Sequence, residues 1–266
     1  MSGLAFDRAG SGPPLVLLHP LGADRRVWRP VLPLLEPQRD VIAVDLPGFG
    51  DSPPLTPATP ADLARALIGL LDERGLRAPH VAGNSLGGWV ALETALAGRA
   101  ASVTAIAPAG LWARPLAPKP ELARTLARLA RPALGAAMKS AALRRAALAG
   151  SVAHPGNVPP AEAAALVSAY GTAPGFTAAN RAMRAGTFTR LAEICVPVTL
   201  AWPEYDRLVA RPERLPPHVV QVALRDCGHI PMWDAPRAVA AVLLAGSESA
   251  AGYRGGSGTK PEVRRT

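Results

Sequence analysis

The sequence predicts an α/β protein: a mostly parallel, doubly wound sheet covered by helices, with a block of extra helices inserted between two strands. Three observations predict it. Short apolar runs alternate with stretches of helical periodicity. Most runs end in loops of Gly, Pro, Asp, Asn or His, the residue types that gather chemistry at the carboxyl edge of such a sheet. One stretch, residues 111–190, breaks the alternation.

Leu15–Leu18 is the first apolar run and ends at His19-Pro20-Leu21-Gly22. Val41–Val44 follows and ends at Asp45-Leu46-Pro47-Gly48-Phe49-Gly50. Leu63–Leu71 carries helical spacing, and His80-Val81-Ala82-Gly83 then runs into Asn84-Ser85. Leu86–Leu96 is helical again, and Val103–Ala107 stops at Pro108. The insertion is rich in Ala, Leu and Arg. Leu122, Leu126 and Leu129 recur there at amphipathic spacing, while Pro155, Pro159, Pro160, Pro174 and Gly175 mark loops. The sheet resumes at Val198–Trp202 and Val219–Leu224, the latter ending at Asp226-Cys227-Gly228-His229. This divides the chain into a core (residues 1–110 and 191–245), a helical cap over one sheet edge (111–190) and a flexible basic tail (246–266).

Composition limits the function classes. Half the chain is hydrophobic (49%), enough for a core, but only 5% is aromatic, so Ala, Leu and Val do most of the packing. The net charge is +9, yet the arginines are scattered and no recognition motif accompanies them, which argues against nucleic acid. Between Leu111 and Gly150, however, eight basic residues face only Glu121. They read either as a solvated face or as groups that steer acidic substrates or hold the insertion near anionic lipid. Cys195 and Cys227 have no metal or redox spacing; each lies beside an expected buried strand, which points to packing. Met1–Gly12 lacks a signal pattern and no segment reaches the length of a membrane span, so a cytoplasmic location is expected. Oligomeric state is not legible.

The chemistry lies in four short stretches. Gly83-Asn84-Ser85-Leu86-Gly87 has the G-x-S-x-G spacing of a nucleophile elbow. Small residues on either side let the backbone turn tightly enough to lift the serine hydroxyl above the sheet, and Leu86 offers its N–H at the head of the next helix. Of the five histidines, His80 and His218 precede their strands, His154 lies by a proline loop in the insertion, and His19 comes before the serine. His229 follows the last strand and fits the Ser…Asp…His order. Asp206, in the loop between Val198–Trp202 and His229, is the expected orienting acid, with Glu204 and Asp226 as competitors. Leu21 is the candidate for a second oxyanion amide beside Leu86, because Pro20 has no N–H.

Together these stretches resemble the α/β-hydrolase superfamily. The likeness rests on Gly83-Asn84-Ser85-Leu86-Gly87-Gly88, His19-Pro20-Leu21-Gly22, Asp45 through Ser52, and Cys227-Gly228-His229, and runs from about Leu4 to Leu244 outside most of the insertion. It implies an acyl-enzyme route, a cap between the sixth and seventh core strands, and no cofactor or metal. Two features depart from the pattern: Pro20 stands where the family usually has Gly, and the usual first edge strand is missing, since only Leu4–Arg8 precedes Gly10-Ser11-Gly12. The expected activity is hydrolysis of a small-molecule carboxylic ester or related acyl compound by Ser85, His229 and Asp206. A carbon–carbon hydrolase of ring-fission type is the alternative, although Ile230 stands where those enzymes often have Trp. A cofactor-free peroxidase-like relative and a catalytically dead binding protein are more remote readings.

Overall fold

The computed structural model describes residues 3–117 and 121–252. In chain order the elements are β1 (Phe6–Gly10), β2 (Pro14–Leu18), the short α1 (Leu32–Leu35), β3 (Asp40–Val44), α2 (Pro60–Glu73), β4 (His80–Asn84), α3 (Leu86–Leu96) and β5 (Ser102–Ile106). The insertion carries α4 (Leu122–Leu129), α5 (Leu134–Ala137), α6 (Ala141–Leu148), α7 (Pro160–Thr172) and α8 (Phe176–Ala185). Then come β6 (Val198–Pro203), β7 (Val219–Leu224) and α9 (Pro236–Gly252). The seven strands lie in the order β1-β3-β2-β4-β5-β6-β7, with β1 antiparallel and the other six parallel. Among the described residues no strand lies outside β1.

Strand alternation sorts the core onto both faces of the sheet. Leu15, Leu17, Val41 and Ala43 point to one side, where they meet Trp28, Leu35, Val239 and Leu243. Val16, Leu18, Ile42 and Val44 point to the other and pack with Leu63, Leu67, Val90 and Leu92 of α2 and α3. The α2 helix starts on a reciprocal cap: the Thr59 hydroxyl accepts from the Asp62 amide, and Asp62 accepts from the Thr59 amide. A smaller core of Leu134, Met138, Leu148, Val152, Val158 and Ala163 holds the insertion together.

Three expectations change. The helix α9 runs to Gly252, into the segment read as a tail; residues 253–266 lie outside those described. Gly246 reads as a breaker in sequence, but here it is the point of close approach: a Cβ on it would sit 2.1 Å from the Thr104 hydroxyl. Ser247 then accepts from the buried Arg39 guanidinium at 2.9 Å, which ties this turn of helix to the body. Cys227 is buried as expected, whereas Cys195 is exposed, since it lies in the approach to β6 and not against the sheet; both thiols are free. Finally, α4 forms as expected, but its leucines face outward.

Candidate active site

The elbow is built by close backbone approaches. Ser85 joins β4 to α3 at φ +54°, ψ −113°, a conformation that L-residues rarely adopt. Its amide donates to Ile106 O at 2.9 Å, and its carbonyl accepts from Trp89 and Ala109 at 3.1 and 3.0 Å. A Cβ on Gly83 would lie 2.2 Å from Gly87 O, and one on Gly87 would lie 2.3 Å from Leu18 O. Both glycines are therefore required, by contacts that the sequence motif only implies.

The loops after β6 and β7 bring His229 and Asp206 together. Nδ1 of His229 donates to Asp206 Oδ2 at 2.8 Å, and both side chains are about nine-tenths buried or more. The other carboxylate oxygen, Oδ1, accepts from the Leu208 and Val209 amides at 2.7 and 3.1 Å. Burial pushes the Asp206 carboxyl upward, but the His229 hydrogen bond and charge, helped by those two amides, outweigh it and leave the pKa below the ordinary value. The competing acids are engaged elsewhere. Glu204 accepts from the Asp226 amide at 2.9 Å, and the Asp226 carboxylate takes His154 Nε2 at 2.9 Å.

Asn84 links the two halves of the site, a role that sequence reasoning did not assign. Its buried amide donates to Ile106 O and to His229 O, each at 3.0 Å, so the residue before the nucleophile holds the backbone of the histidine. The only hint in sequence is a polar residue closing an apolar strand. Asp234 was likewise missed. It accepts from the amides of Ala153, His154 and Gly228 at 2.8 to 2.9 Å, joining the insertion to the histidine loop.

The oxyanion candidates lie where two turns meet: the same Cβ on Gly87 would also come within 2.7 Å of His19 O. Neither the Leu21 nor the Leu86 amide donates to any described residue. His19 itself is a structural group. It is fully buried, its Nδ1 donates to Pro20 O at 2.8 Å and its Nε2 accepts from the Leu46 amide at 3.0 Å, which fixes the neutral tautomer. Burial is the main reason that its pKa lies below the ordinary value. The neighbouring Asp45 loop is also structural. The buried Asp45 carboxylate accepts from the Arg25 and Asp51 amides at 2.7 and 2.9 Å and pairs with the Arg25 guanidinium. From the insertion, Tyr170 and Phe176 close over Gly22, edge to face with centroids 5.2 Å apart. Ser85 and His229 are only 6% and 4% exposed.

The alpha/beta hydrolase family model matches residues 15–242. This chain belongs to that family. Among its relatives, a pimeloyl-[acyl-carrier protein] methyl ester esterase of Legionella pneumophila is 50% identical over 48 residues, covering 18% of this chain and 20% of the esterase. An epoxide hydrolase of Mycobacterium tuberculosis is 64% identical over 44 residues, covering 16% of this chain and 21% of that protein. The chain thus spans about a fifth of the length of either relative. A thermophilic esterase structure from Thermogutta terrifontis superposes with a TM-score of 0.72 at 25% identity over 93% of both chains.

Proposed function

We propose that this hydrolase cleaves a carboxylic ester or related acyl compound, with Ser85 as nucleophile, His229 as general base and acid, and Asp206 as orienting acid. The observation that carries this reading is the buried His229–Asp206 hydrogen bond, anchored through Asn84 beside a serine in a strained elbow. Asp206 keeps the proton on Nδ1 and so leaves Nε2 as the base. As Ser85 Oγ attacks the carbonyl carbon, Nε2 takes its proton, and the amides of Leu21 and Leu86 receive the oxyanion. Collapse breaks the bond to the leaving alcohol, which takes the proton from the imidazolium. Water, deprotonated by His229, then attacks the acyl-enzyme and releases the acid with Ser85 restored. Apart from the hydrolytic water, the groups used in these steps are side chains and amides of this chain. We read the helical insertion as a cap that sets the acyl specificity.

Esterase relatives support the ester reading. In this superfamily epoxide opening uses an aspartate at the elbow, and Ser85 occupies that position here. The test is turnover of p-nitrophenyl acyl esters from short to long chain, with a ring-fission dienone as counter-substrate. Ser85→Ala should lose about 10⁴-fold or more in kcat and all fluorophosphonate labelling, with unchanged thermal stability. Hydrolysis within tenfold of the parent chain would overturn the nucleophile assignment. A dienone cleaved with higher kcat/KM than the best ester would move the reaction to carbon–carbon bonds.

A further inference from the structure

The helix α4 is mounted inside out. Leu122, Leu126 and Leu129 fall on one stripe and are 67%, 58% and 70% exposed. The opposite side of α4 packs on α7, where a Cβ on Gly171 would lie 2.7 Å from the Arg128 nitrogen. On that inward side Arg124 stacks on the Phe176 ring and donates to Ala173 O at 2.6 Å. Leu143 of α6, which also packs on α7, is 48% exposed. An apolar stripe of this kind calls for a cover.

The charge of this segment of chain selects the cover. Arg114, Arg128, Arg131, Lys139 and Arg145 are exposed and pair with no carboxylate among the described residues. Glu121, the single acidic residue between Leu111 and Gly150, is taken by Arg124 and Thr177. A second copy docked through the same face would set like charges against each other, which opposes self-association. At 58% to 70% exposure the three α4 leucines are free to enter a head-group layer.

We propose that the outer face of α4 docks on an anionic lipid surface, with its three leucines entering the interface and the exposed cations of this segment meeting the head-group charge. The attachment is peripheral: among the described residues no helix is long and apolar enough to cross a membrane. One helix layer inward, α7 carries Tyr170 against Gly22, so docking would bring the site's roof to the lipid.

Co-sedimentation of the full chain with vesicles tests this without reference to its enzymatic activity. Binding to phosphatidylcholine vesicles containing phosphatidylglycerol should be at least about tenfold tighter than to phosphatidylcholine alone, and should weaken with salt. The triple variant Leu122→Ser, Leu126→Ser, Leu129→Ser should lose at least about tenfold of that binding. Its melting temperature and its kcat/KM on a soluble ester should match the parent. No vesicle binding, equal binding to both vesicle types, or full binding by the triple variant would overturn the proposal. So would a dimer in sedimentation equilibrium that the triple variant abolishes.

Discussion

Asp206→Asn is the sharpest perturbation of the site, because the structure dictates how the new amide must sit. Oδ1 accepts two backbone amides, from Leu208 and Val209. An Asn that turned its NH₂ toward them would face donor to donor twice, in a nearly dry setting. It must therefore keep its oxygen there and aim its NH₂ at His229 Nδ1. That nitrogen can then only accept, so the imidazole carries its proton on Nε2, where it cannot take one from Ser85. The expected loss in kcat/KM is about 10⁴-fold, or about 5 kcal/mol of barrier at about 1.4 kcal/mol per factor of ten. Glu204→Gln keeps an oxygen for the Asp226 amide, and Asp226→Asn breaks only an exposed pair with His154, so both should stay within tenfold of the parent. The assay is ester hydrolysis across pH for all three, with thermal melts to verify folding. Asp206→Asn retaining a tenth of the parent rate, or Glu204→Gln proving the most damaging, would refute the reasoning.

Two more outcomes follow from burial and close packing. Gly87→Ala should fail to fold or lose several kcal/mol, since its Cβ would meet Leu18 and His19 carbonyls that β2 cannot yield; urea melts read the loss, and a melt like the parent's would contradict the packing. Stability should fall as pH drops through the region near 6.5, because His19 has a lowered folded pKa and the unfolded chain binds a proton there first. Urea melts at pH 7.5 and 5.5 should show that fall reduced in His19→Gln, and an unchanged slope would contradict the assignment.

The candidate site could be read from the sequence because backbone sterics and chain order leave few choices. Ser85 needs glycines at fixed steps, and His229 is the histidine that follows a strand and comes after the serine. The sheet was legible for a related reason, since Leu15–Leu18 and Val41–Val44 are apolar on both faces. Strand β1 was harder to read, because four of its five residues are exposed and its sequence carries no apolar alternation. Spacing also gave the leucine stripe of α4 but not its direction, which depends on the close approach of Gly171, more than forty residues on in the chain. Asn84 and Asp234 act through amides and carbonyls, which every residue has, so their partners leave no mark in sequence.

The Asp234 carboxylate has a mechanical consequence. One side chain holds two amides of the insertion and one amide of the histidine loop, so it moors the roof of the site at the edge nearest the base. Lifting the roof there would pull Gly228, and His229 with it, away from Ser85. At the far edge Tyr170 and Phe176 rest on Gly22 by ring contacts, and the Gly175 amide donates to Gly48 O at 2.8 Å. Aromatic rings in contact can part and close again without leaving a buried charge unpaired. Asp234, by contrast, ties the turn at Ala153 and His154 directly to the histidine loop, so the two cannot shift independently.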